Sequence, residues 1–95
     1  MYARVAKWQG GSAEDIRQMV DGVNESGGPP EGVPAKGFMF LVDRENGRSL
    51  AITLFDSEED MRTGDAALNQ MNPPGESSRE RVGVEFYEIP VDVRV

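Results

Sequence analysis

The sequence predicts an α+β domain in the order β-α-β-β-α-β, and three observations lead there. Two amphipathic stretches each open on a serine suited to cap a helix. Two alternating apolar stretches meet at Asn46-Gly47, and Pro/Gly breaks separate the rest. Ninety-five residues make one domain with a single modest core. Residues 1–90 are assigned to it, and 91–95 to a C-terminal tail.

Tyr2 to Trp8 reads as the first strand, ended by Gln9-Gly10-Gly11. Ser12 offers an N-cap acceptor, and Glu14 and Asp15 suit the positive end of a helix. Ile16, Met19, Val20 and Val23 then recur at i, i+3, i+4 and i+7, which is one helical face. Gly27-Gly28-Pro29-Pro30 stops that helix. A Pro/Gly loop over 27–37 leads to two strands, Phe38–Val42 and Ser49–Phe55. Ser57 caps a second helix with Met61, Gly64, Leu68 and Met71 along one face. Asn72-Pro73-Pro74-Gly75 ends it, and Glu76 to Glu80 is a polar loop. Arg81 to Ile89 is the last strand, closed by Pro90. Val91, Val93 and Val95 alternate beyond it, a pattern fit for an edge strand on this chain or on a partner.

Two right-handed split crossovers arrange these elements as a ferredoxin-like sandwich. Four antiparallel strands carry both helices on one face. The hairpin turn decides which residues face them. A type I′ turn centres on Asn46-Gly47; a type I turn with Gly47 in a G1 bulge shifts the pairing by one. Hydrophobic segregation favours the bulge. It puts Phe38, Phe40, Val42, Leu50, Ile52 and Leu54 under the helices. Met39, Leu41, Ala51, Thr53 and Phe55 then lie on the far face, which the chain has too little material to cover. A second copy is the expected cover, because closed two-fold symmetry is the commonest assembly.

Composition narrows the chemistry. The formal charge is −7 with ten scattered basic residues, which argues against neutralising a nucleic-acid backbone. No apolar run approaches the roughly 20 residues of a membrane span, and none marks a secretory leader. Without cysteine there is no thiolate or disulfide chemistry, and the cytoplasm is the expected compartment. Without histidine the commonest metal ligand and neutral-pH proton carrier is missing. No cofactor is expected. The acids Asp56, Glu58, Glu59 and Asp60 lack calcium-loop spacing and suit a helix start instead, so no metal site is assigned. Asp43-Arg44-Glu45 reads as a solvated hairpin tip. Arg4 and Arg81 are expected to pair across strands with Glu85 or Glu88.

The segments Leu41-Val42-Asp43-Arg44-Glu45-Asn46-Gly47 and Ile52-Thr53-Leu54-Phe55-Asp56-Ser57-Glu58-Glu59-Asp60-Met61 resemble the dimeric α/β-barrel superfamily, which includes the antibiotic-biosynthesis-monooxygenase-like domains. The resemblance implies two sheets stacked as a barrel. It also implies either a small-molecule-binding module or a cofactor-independent monooxygenase. Haem degradation, which uses an axial histidine, does not fit a chain without one. The oxygenases hold aromatic substrates with Trp, Tyr, Asn and Arg. Trp8, Tyr2, Tyr87, Asn24 and Arg4 are the corresponding types here, with no position-by-position match and no catalytic residue carried over. The leading expectation is a homodimer holding a small apolar molecule; a protein-interaction module is the third. Trp8, Phe38, Phe40 and Ile52 are the candidate ligand pocket, and Met39, Leu41, Thr53 and Phe55 the candidate dimer face.

Overall fold

A computed structural model of the chain describes residues 1–71 and 79–95. The expected stop at 72–75 and most of the polar loop after it lie outside the described residues, as does the side chain of Met71. The elements are β1 (Tyr2–Gly10), α1 (Ala13–Ser26), β2 (Gly37–Asp43), β3 (Arg48–Phe55), α2 (Glu58–Met71) and β4 (Arg79–Glu88). They form an α+β fold with one four-stranded sheet in the order β2-β3-β1-β4, and every neighbouring pair is antiparallel.

Both serine caps form. Ser12 Oγ accepts from the Asp15 amide at 3.1 Å, and Ser57 Oγ accepts from the Asp60 amide at 3.1 Å. Each satisfies an amide that the helix itself leaves unpaired. Gly27 closes α1 in the left-handed conformation, φ 66°, with its N–H on the Val23 carbonyl. The break after Trp8 is shorter than its glycines suggest: β1 runs on to Gly10, opposite Arg79. The Gly10 amide donates to the Gly47 carbonyl at 2.7 Å. β1 and β4 shift register between Lys7 and Trp8, a local irregularity in that pairing.

The hairpin does not take the bulged register. Asp43 pairs with Arg48, leaving residues 44–47 as the loop. The Asp43 carboxylate closes it, accepting from the Asn46 amide at 3.2 Å, Asn46 Nδ2 at 2.8 Å and Arg48 Nη2 at 2.8 Å. This changes the parity of every β3 side chain relative to β2. Phe38, Phe40 and Val42 share a face with Ser49, Ala51, Thr53 and Phe55, while Met39 and Leu41 share the other with Leu50, Ile52 and Leu54. The large-residue face expected beneath the helices is therefore split between the two sides. Local hydrogen bonding in the loop has overridden segregation by size.

α2 lies over the face carrying Tyr2, Arg4, Thr53 and Phe55. Phe55 is completely buried in a cluster with Val33 and Met61, and Tyr2, Ala35, Ala67 and Leu68 close around it. Gly64 is what lets the helix come so near: a Cβ there would stand 2.5 Å from the Phe55 ring. Ala6, Ala51 and Thr53 are buried on the same side of the sheet. α1 is more loosely held; Ile16 is buried, whereas Val20 and Val23 are exposed. No helix among the described residues is long and apolar enough to cross a membrane.

Candidate functional site

The helix-covered face contains an unexpected charge. Arg4 is only 3% exposed, and its Nε donates to Asp65 Oδ1 of α2 at 2.7 Å. Its Nη2 donates to Asn69 Oδ1 at 3.1 Å, and the same oxygen accepts from Arg81 Nη1 at 2.7 Å. Asp65 and Asn69 are one helical turn apart, so one face of α2 reaches both β1 and β4. A buried guanidinium survives only if paired and hydrogen-bonded, and α2 supplies both conditions. The cross-strand pairing expected of Arg4 and Arg81 with Glu85 or Glu88 is not what forms: each arginine reaches the helix instead. Further along β3, Ser49 Oγ is buried with no hydrogen-bond partner among the described residues.

The opposite face is open. Alternation from β2 to β4 places Met39, Leu41, Leu50, Ile52, Val5 and Tyr87 there. Met39 is 48% exposed, Leu41 44% and Tyr87 50%. A groove of about 1080 Å³ opens along this face, walled by Val5, Leu41, Leu50, Val82 and Tyr87; Trp8 and Ser49 also line it. Its polar groups stand in pairs. Lys7 Nζ lies 3.2 Å from Glu85 Oε1, and Arg48 Nη2 lies 2.8 Å from Asp43 Oδ2. The Lys7 ammonium, and then the Tyr87 hydroxyl, hold the Glu85 carboxyl below its ordinary value, and the same carboxylate raises the Tyr87 phenol. Asp43 is lowered to about 2, first by the Asn46 amide side chain and then by Arg48. Both carboxylates are therefore ionised at neutral pH and matched by cations, so the groove is apolar with locally neutral polar edges.

The four candidate pocket residues do not converge. Trp8, Phe38 and Phe40 belong to the helix-side face, while Ile52 points to the open one. Of the four, only Trp8 lines the groove. The candidate dimer face divides in the same way. Met39 and Leu41 lie on the open face, but Thr53 and Phe55 are buried beneath α2 and are unavailable to any partner. Both corrections have one cause, the parity set by the 44–47 loop. Lys7, Glu85 and Tyr87 were not singled out as a group from sequence. The only signal was the i, i+2 spacing of Glu85 and Tyr87 on one strand face; Lys7 joins them through the β1–β4 pairing.

The acids at the start of α2 are engaged locally. Asp56 lies 3.5 Å from Lys36 Nζ and Glu58 2.6 Å from Arg62 Nη2. Among the described residues no group of three or more His, Cys, Asp or Glu is placed to hold a metal ion.

No protein-family model and no solved structure matches the chain significantly. Among curated proteins, similarity is found to the small ribosomal subunit protein uS7 of Coxiella burnetii strains Dugway 5J108-111 and RSA 331 / Henzerling II. Each is 32% identical over 75 residues, covering 79% of this chain and 35% of the relative. The chain thus spans about a third of the length of the curated relatives it matches.

Proposed function

We propose that this chain is a ferredoxin-like module that works as a homodimer. Two copies stack their open sheet faces as a dimeric α/β barrel, and the groove between them receives a small apolar molecule. The observation that carries the reading is the half-exposed apolar face of Met39, Leu41 and Tyr87, continuous with Val5, Leu50 and Ile52. Apolar surface of this extent on a small domain marks an interaction site. Each such half-exposed side chain taken from water contributes roughly 1 kcal/mol, about half the gain of full burial, before the cost of association. Its polar edges suit a two-fold interface, because the Lys7–Glu85 and Asp43–Arg48 pairs carry both signs.

Sedimentation at micromolar concentration tests the assembly. A dimer that Leu41→Lys converts to a folded monomer is the expected outcome; a wild-type monomer overturns the reading. Naphthalene titrated against the intrinsic fluorescence of Trp8 tests the guest, with quenching or a spectral shift expected. Oxygen uptake with a hydroquinone-like substrate, without added metal or flavin, would move the reading to a monooxygenase of the antibiotic-biosynthesis type. The partial likeness to uS7 would bring RNA as a partner. The formal charge of −7 and the carboxylate partners of Lys7 and Arg48 weigh against that.

A further inference from the structure

We propose that residues 91–95 of one copy add as an extra strand to the outer edge of β2 in a second copy, so that the two chains exchange these segments. The proposal rests on the homodimer reading and names the contact that completes it.

Four observations converge on it. Val91 and Val93 are 74% and 78% exposed, and the segment pairs with no strand among the described residues. Its valines alternate with Asp92 and Arg94, so once extended it has one apolar and one polar side. β2 is an edge strand with apolar residues on both sides, Phe38 on one and Met39 and Leu41 on the other, all exposed. Such an edge invites pairing with another chain unless it is covered.

Distance rules out the chain's own β2. From β4 to the outer edge of β2 there are four inter-strand spacings, about 19 Å, whereas residues 91–95 extend about 17 Å. A segment of that length cannot both cross the sheet and lie along β2. A second copy has no such restriction, and reciprocal exchange keeps two-fold symmetry closed.

Area gives the segment a task. Four strands of about eight residues offer a flat footprint of about 500 Å², short of the about 800 Å² per partner in a standard stable interface. A strand laid on each β2 edge supplies backbone hydrogen bonds and apolar area toward the difference. Charge is compatible as well. The segment's own Asp92 and Arg94 pair at 3.3 Å, so it brings no net charge to an edge flanked by Lys36 and Arg44.

The chain has no cysteine, so Val93→Cys accepts a single spin label. Unlabelled chains carrying it are mixed with ¹⁵N-labelled wild-type chains, so any broadening is intermolecular. Selective broadening of the Gly37–Asp43 amides, beyond that at Arg79–Glu88, is expected. In parallel, replacing Val91, Val93 and Val95 together by serine should weaken the dimer at least about ten-fold while leaving the fold intact. Dimers with no broadening at β2, with broadening centred on β4, or with unchanged affinity in the serine variant overturn the exchange and leave the stacked dimer standing. A monomeric wild-type chain overturns both.

Discussion

The two faces of this sheet are made from the same strands and have opposite characters. On the helix side the small Ala6, Ala51 and Thr53 share a face with the large Phe55, Trp8, Phe38 and Phe40 and with the buried Arg4. On the far side Leu50, Ile52, Met39 and Leu41 form an aliphatic patch, yet among the described residues no element shields Met39 and Leu41 from water. Around Phe55 the chain thus buries a mixed set of small, aromatic and charged side chains for itself. Gly64 rests on the Phe55 ring, and α2 at that distance packs on Phe55 and Tyr2 and ion-pairs the Arg4 guanidinium. Met39 and Leu41 are left at a surface, where they are useful only if something else lands there.

Substitutions beneath α2 should produce the largest effects. Phe55→Ala empties the centre of the core cluster and is expected to cost about 3–5 kcal/mol in urea unfolding. Gly64→Ala presses a methyl into the same ring and should destabilise by about 1–3 kcal/mol. Little change from either would mean that α2 stands off the sheet. Asp65→Ala leaves Arg4 buried without its carboxylate. Because Asp65 is partly exposed and Asn69 still accepts from Arg4, the loss should fall below the about 3–5 kcal/mol of a fully buried pair. Denaturation of the variant alongside Arg4→Met/Asp65→Ala separates the pair from the lone charge: the double variant should recover part of the loss.

The open side should respond differently, in assembly and pH dependence more than in folding. Asp43 is held at about 2 by Asn46 and Arg48 against an ordinary value of 3.8. A carboxyl lowered in the folded state adds stability that is complete above pH 4 and is lost as the pH falls toward 2. Hairpin amide shifts followed from pH 5 to 2 should therefore titrate near pH 2, and Asp43→Asn should abolish that step. A midpoint near 4 would mean that the loop is not closed by this carboxylate. The smallest effect is expected at Ser49. Its buried hydroxyl has no partner among the described residues, so Ser49→Ala should be neutral or slightly stabilising in thermal melts. A clear destabilisation would show that the hydroxyl is engaged.

Much of the fold was legible because its punctuation is local. Ser12, Ser57 and Gly27 announce helix ends through bonds to residues three or four positions away. The hairpin is also local, but its register depended on how the Asp43 carboxylate was used. That carboxylate, expected to be solvated, instead ties up Asn46 and Arg48. One misjudged loop then moved Thr53 and Phe55 from the open face to the core and parted Ile52 from Phe38 and Phe40. The Arg4 network was illegible for another reason. An arginine in a strand ordinarily reads as solvated, and its partners Asp65 and Asn69 lie in an element more than fifty residues further on. Only the tertiary fold brings them together.

The strand order carries a consequence for how the protein comes into being. β1 is made first among the four strands, yet it sits between β3 and β4. During synthesis it waits, unpaired, while β2 and β3 close on each other as the sheet's one local hairpin. Until β4 emerges, one edge of β1 stays bare, and the Asn69 oxygen that later joins Arg4 to Arg81 has only half its donors. Contacts between distant parts of a chain form slowly because loop closure must precede them. A nascent chain halted before Arg79 would therefore display the central strand of its own sheet as an open template for its neighbours.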